Sequence, residues 1–244
     1  MLRITDARTG ADVPAAPVRR GLTRVEAHAD GCGTGDLRVL LVADLLVRAL
    51  ELGGTPVWGL LTGRGEQTRL RTDADELGIR PFEDNRDMGT GLGEAQVVHV
   101  ARRASDVPDG VVVAVAPVDG PPLPSAGPPD RAEPAALRLA LLTRPRDTPV
   151  RLTAADLAEA RDTLVRWRQD VARWARQPSR PVPEEVRGRL RAAWEDDLDV
   201  PEVLRVLRRI EQDPDVAPGA RFETHAYADR LLGLDLTRDL GSPV

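Results

Sequence analysis

The segment Leu37–Leu52 constrains this chain most: it is apolar on nearly every face and ends at the glycine pair Gly53-Gly54. A helix with an apolar surface all round cannot lie against water, so it must be buried between layers, and the glycines supply its carboxyl-terminal stop. A glycine-rich loop, Gly31-Cys32-Gly33-Thr34-Gly35, precedes it, and Thr55–Thr62 after it reads as a strand. Strand, glycine loop, buried helix and strand make the opening of a nucleotide-binding α/β unit.

The remaining periodicities divide the chain. An extended piece at Leu2-Arg3-Ile4 opens it, residues 63–94 are loop-rich with a short helical piece around Asp73–Leu77, and Gln96–Ala101 and Gly110–Val118 are β-rich. Val111–Ala116 contains no polar residue and fits a strand buried on both faces. Gly120–Asp130 is rich in Pro and Gly and marks a boundary. Helices are predicted over Glu133–Leu142, from Thr153 onward to a break at Gln177–Pro183, and over Glu184–Trp194, Pro201–Glu211 and Arg221–Leu232. Thr153 with Asp156 three residues on is a capping-box variant. The steps Leu157, Ala160, Leu164, Trp167, Val171, Trp174 form a packed seam, on which the two Trp read as core rather than a base-stacking platform.

Composition narrows the chemistry. All 34 basic side chains are Arg, which excludes a phosphate-binding or Schiff-base lysine. A single cysteine, Cys32, excludes a disulfide framework and a multi-cysteine zinc site. A net charge of −5 argues against a chain that grips DNA by bulk positive charge. The first residues carry no basic region followed by an apolar run, and the longest apolar stretch, Val39–Leu50, is broken by Asp44 and Arg48. The expectation is a cytoplasmic protein with no membrane partner.

Each candidate site residue has two readings. Gly31–Gly35 at a helix amino terminus offers free N–H groups to an anion, or is simply a tight turn. Cys32 with His28 four residues earlier is a thiol–base pair or a small turn residue. His99 and His225 have no carboxylate or Cys at metal-ligand spacing in sequence and read as structural, so no metal site is expected. Asp196, Asp197 and Asp199 fit a Mg²⁺ cluster or, ahead of Pro201, a helix start, which is favoured. Arg161, Arg168 and Arg173 on the long helix are RNA-contact candidates, although interspersed Glu159, Asp162 and Asp170 suit a mixed solvated face.

Several segments resemble cysteinyl-tRNA synthetases and the mycothiol-pathway cysteine ligase. Leu2–Asp6 is similar to their first strand, and Leu37–Leu46 to the helix after their HIGH signature. Ala135–Leu142 is similar to the segment after their KMSKS loop, Asp196–Pro201 to a turn of their carboxyl-terminal bundle with Val200 for the usual capping Thr, and Ala226–Leu236 to their final helix and its end. The resemblance covers about residues 1–82 and 131–237, and its second half is closer to the ligase.

The departures bear on activity. The His-x-Gly-His positions that hold ATP phosphates in the family fall on Gly33-Thr34-Gly35-Asp36, with both histidines absent and an acid where a phosphate would sit. A lysine-free chain has no KMSKS loop, and one Cys cannot supply the two that the family's zinc requires. Residues 118–131 are too short for the second half of the nucleotide-binding domain that carries those zinc ligands.

The expected architecture is α/β: a truncated Rossmann-like class I synthetase domain over 1–120, a Pro/Gly linker over 121–132, and an all-α helical bundle over 133–240. Gly33, Thr34, Gly35, Asp36 and Arg38 are the nucleotide-binding candidates. The leading expectation is a catalytically degenerate paralogue acting as a binding or regulatory module, with a protein partner, tRNA or an adenylate-type small molecule as ligand. The alternatives are an ATP- and Mg²⁺-dependent ligase that uses Arg38 or Arg64 for phosphate charge, and a tRNA-binding accessory protein. No zinc is expected in any of these.

Overall fold

Helix α1 (Thr34–Leu52) sits at the centre of the molecule. In the computed structural model, which describes residues 1–18, 21–64, 67–84, 94–103, 107–120 and 134–241, α1 packs against strands β3 (Leu22–His28), β4 (Val57–Thr62) and β6 (Glu94–Ala101) on one side. It also packs against α2 (Gln67–Glu76) and α7 (Pro218–Leu232). Contact with both layers accounts for the all-round apolar sequence: Leu37, Val39, Ala43 and Leu46 are fully buried.

The main sheet has five parallel strands in the order β5-β4-β3-β6-β7, with β5 at Glu83–Asp84 and β7 at Val111–Ala114. Two strands lie on each side of β3, the order of a doubly wound fold. Strands β6 and β7 form the wing on the far side of β3, and both lie before residue 118. The strand ahead of the glycine loop is Leu22–His28, whereas Arg3–Thr5 (β1) pairs antiparallel with Asp12–Pro14 (β2) in a separate ribbon. That ribbon reaches the carboxyl-terminal half, where Asp197 N–H donates to the Arg3 carbonyl and the Met1 ammonium pairs with Glu195.

The helices follow as α3 (Pro134–Leu142), α4 (Ala154–Trp174), α5 (Glu184–Glu195), α6 (Val200–Gln212) and α7, with a short parallel pair, β8 (Val118–Asp119) and β9 (Val150–Arg151), flanking α3. Thr153 caps α4 as predicted, its hydroxyl accepting from Asp156 N–H while the Asp156 carboxylate accepts from Thr153 N–H. Trp167 and Trp174 lie in the core against the buried ring of His225, the first edge-on and the second tilted. Asp199, rather than Val200, caps α6, and Asp197 takes hydrogen bonds from Thr5 N–H and Arg146, so the acidic run is structural. One apolar core runs from Leu2 to Leu236. The 121–132 linker lies outside the described residues. Among those described, no helix is long and apolar enough to cross a membrane.

A buried ionic knot ties the helices to α1. Asp44, fully buried, accepts from Arg138 (2.8 Å), Arg48 (2.9 Å) and Arg80 (3.1 Å). Arg138, also fully buried, donates as well to the carbonyls of Leu232 and Leu77. Gly233 closes α7 at φ +60°, and a Cβ there would stand 2.8 Å from the Arg138 guanidinium, so both conformation and space require glycine.

Candidate functional site

In a doubly wound sheet, ligands bind beyond the carboxyl ends of the strands where the strand order reverses, here between β3 and β6. Chain segments leaving these two strands meet at that point. The loop after β3 leads to the amino terminus of α1, and Arg102 follows β6 directly. A crevice of about 340 Å³ opens there, lined by Gly33, Thr34, Gly35, Arg102 and the 117–120 segment. Three of the predicted residues, Gly33, Thr34 and Gly35, therefore line one opening.

Asp36 sits just inside, buried, and serves the helix itself. Its carboxylate accepts from Gly33 N–H at 3.2 Å and pairs with Arg102 Nη2 at 2.5 Å. The end of α1 that would attract a phosphate is thus already capped by the chain's own anion. Gly31 makes room for it, since a Cβ at that position would lie 2.8 Å from Asp36 Oδ2. Arg102 escaped the sequence reading because nothing in its local pattern marks it; only the β3–β6 pairing brings it to the helix end.

Two candidate cations are corrected. Arg38 is 1 % exposed, and its guanidinium donates to the carbonyls of Ala116, Thr148 and Pro145, clamping the segments that flank α3. Burial, opposed in part by Asp147, lowers its pKa to about 10. Arg168 is likewise buried and donates to the carbonyls of Leu234 and Asp235. The resulting arrangement removes Arg168 from any RNA-facing surface. Arg161 is exposed, and Arg173, exposed as well, pairs with Asp170 one turn away.

A group of potential metal ligands that sequence spacing does not show is brought together by the sheet. On β3 and β6, Glu26, His28 and His99 bring ligand atoms within 4.8 Å of one another. Register explains what spacing could not: Glu26 lies opposite His99, and His28, two residues on, faces the same side. His28 Nε2 is bonded to His99 Nδ1 at 3.0 Å, so the expected partner of Cys32 is engaged elsewhere, and Cys32 is exposed. Burial holds both imidazoles below the ordinary histidine range, against the opposing pull of Glu26.

Fold and crevice define a Rossmann-like α/β protein with an open crevice at its switch point. No family model matches the chain. Its similarity to individual proteins is to enzymes named L-cysteine:1D-myo-inositol 2-amino-2-deoxy-α-D-glucopyranoside ligase. The Streptosporangium roseum protein is 38 % identical over 109 residues, 43 % of this chain and 26 % of the relative. The Streptomyces griseus protein is 43 % identical over 111 residues, 43 % of this chain and 25 % of the relative. The Kytococcus sedentarius protein is 36 % identical over 119 residues, 43 % of this chain and 27 % of the relative. These are mycothiol-pathway cysteine ligases, the family that the sequence segments resemble, and the matches span about a quarter of those relatives' length.

Proposed function

We propose that this chain is a derived relative of the cysteine ligases that has kept a ligand-binding crevice and lost adenylation, and that it works as a binding module for an adenylate-type small molecule. The observation that carries this reading is the Asp36–Arg102 pair at the amino end of α1. Where the resembling family places the histidines that hold ATP phosphates, this chain places a carboxylate that repels them and already satisfies the helix end. Arg102, half exposed at the crevice, remains to meet an acidic group of the ligand. The family's zinc does not fit here in its own form, because its two-cysteine ligand set has no counterpart in a chain with one Cys.

Calorimetric titration with a non-hydrolysable cysteinyl-adenylate mimic tests the reading. Stoichiometric binding that is lost in Arg102→Ala supports it, and no heat at millimolar ligand overturns it. A second reading, an ATP-dependent ligase with a non-standard site, draws on the activity in the relatives' names. It requires Arg102 to leave Asp36 and stabilise phosphate charge, and predicts Mg-ATP turnover that vanishes in Arg102→Ala.

A further inference from the structure

We propose that Glu26, His28 and His99 form a binding site for a borderline divalent transition-metal ion, with zinc as the natural probe. One ligand atom from each of the three residues lies within 4.8 Å of the other two. His28 Nε2 is 3.0 Å from His99 Nδ1, His99 Nδ1 is 3.7 Å from Glu26 Oε2, and His28 Nε2 is 3.8 Å from Glu26 Oε1. Donors bound at about 2.0–2.2 Å around one tetrahedral ion stand about 3.3–3.6 Å apart, so the two imidazoles need to part by a few tenths of an ångström while the Glu26 carboxylate turns one oxygen toward both. Two imidazoles and a carboxylate are a donor set suited to zinc, with a fourth position left for water or a ligand.

The surroundings match those of a metal site. Thr62 Oγ1 donates to Glu26 Oε1 at 2.5 Å and orients the carboxylate. His99 makes a backbone hydrogen bond with Asp109, and since its Nδ1 faces His28 and Glu26, the donor to that carbonyl is Nε2. This tautomer turns the Nδ1 lone pair toward the ligand group, where it accepts from His28 Nε2–H. Arg24 Nε lies 3.7 Å from Glu26 Oε2 and balances the carboxylate in the ion's absence. His99 and Glu26 are buried and His28 is 13 % exposed, which leaves the His28 side as the route in.

The full chain, stripped with chelator and dialysed against zinc, is expected to retain one equivalent by elemental analysis and to melt at a higher temperature with zinc than without. Cys32→Ser should keep both properties. His28→Gln should lose the equivalent and the zinc-dependent rise, and Thr62→Val should weaken binding about 10–100-fold. Cobalt in the wild type should give tetrahedral visible bands without a thiolate charge-transfer band, a readout that needs no variant to fold. Zinc uptake unchanged in His28→Gln, abolished in Cys32→Ser, or absent from the folded wild type would overturn the proposal, as would a thiolate band with cobalt.

Discussion

Replacing Asp44 by Ala removes the one carboxylate on which three arginines converge, and its cost follows from what is left behind. Arg138 would keep its bonds to the carbonyls of Leu232 and Leu77, but its fully buried charge would lose its hydrogen-bonded carboxylate and keep only the field of Asp229. Breaking a buried pair by deleting one partner costs about 3–5 kcal/mol. For a chain of this size each kcal/mol shifts the melting midpoint by about 2–4 °C, so Asp44→Ala should melt about 6–20 °C lower. The double variant Asp44→Leu/Arg138→Met removes both charges and should recover part of that loss, because the penalty belongs to the orphaned charge and not to the missing attraction. Burial alone would raise the Asp44 carboxyl pKa, but Arg138 and Arg48 outweigh it and hold it below the usual range. The stabilisation is therefore present above the ordinary carboxylate range and fades only as pH falls through the depressed value. Urea melts of the single and double variants at neutral pH measure these quantities. An Asp44→Ala loss below about 1 kcal/mol, the level of an exposed pair, would refute the assignment of the knot as the tie between α1 and the helices.

Other predictions concern single positions. Gly31→Ala should push Asp36 out of its cap and cost about 1 kcal/mol, and a melting midpoint equal to wild type would contradict the close approach seen there. Burial holds His225 at about 4, so the folded state binds fewer protons than the unfolded chain between that value and about 6.5. Stability should drop as pH falls through this window, by up to about 3 kcal/mol from this group, and the drop should be smaller in His225→Phe. Arg168→Ala should destabilise the protein by stripping the donors that hold the Leu234–Asp235 turn, while leaving any tRNA retention unchanged; a selective loss of tRNA retention at unaltered stability would restore it as an RNA contact.

Local physics made much of the helical half legible. The α4 cap and seam, and the breaks between helices, are written in residues three and four apart, and the structure places them within a few positions of where the sequence does. Helix α1 was legible for the same reason, since a segment apolar on all faces has one place to go. What could not be read depends on pairing across long separations. Leu22–His28 is half polar, and nothing local marks it as the central strand; it holds that place because β4 and β6 flank it. Arg102 and the Glu26–His28–His99 group are assembled by the same register, across 66 and 71 residues, and so leave no spacing motif. Arg38 and Arg168 misled for a related reason. An arginine in a sequence looks like a surface cation, and only the fold shows the buried carbonyls that absorb its donors. The resemblance to cysteine ligases is carried by Leu2–Asp6, by segments of α1, α3 and α7, and by the Asp196–Pro201 turn, while the signature positions themselves differ.

The central claim, that binding has outlived adenylation, is tested most directly by ATP–pyrophosphate exchange with cysteine and Mg²⁺, on the wild type and on Asp36→His. No exchange above the protein-free background is expected in either, because the helix end differs and this chain has neither a lysine for the loop nor two cysteines for the ligand set. Exchange that rises with wild-type protein concentration would contradict that claim and make the chain a working ligase.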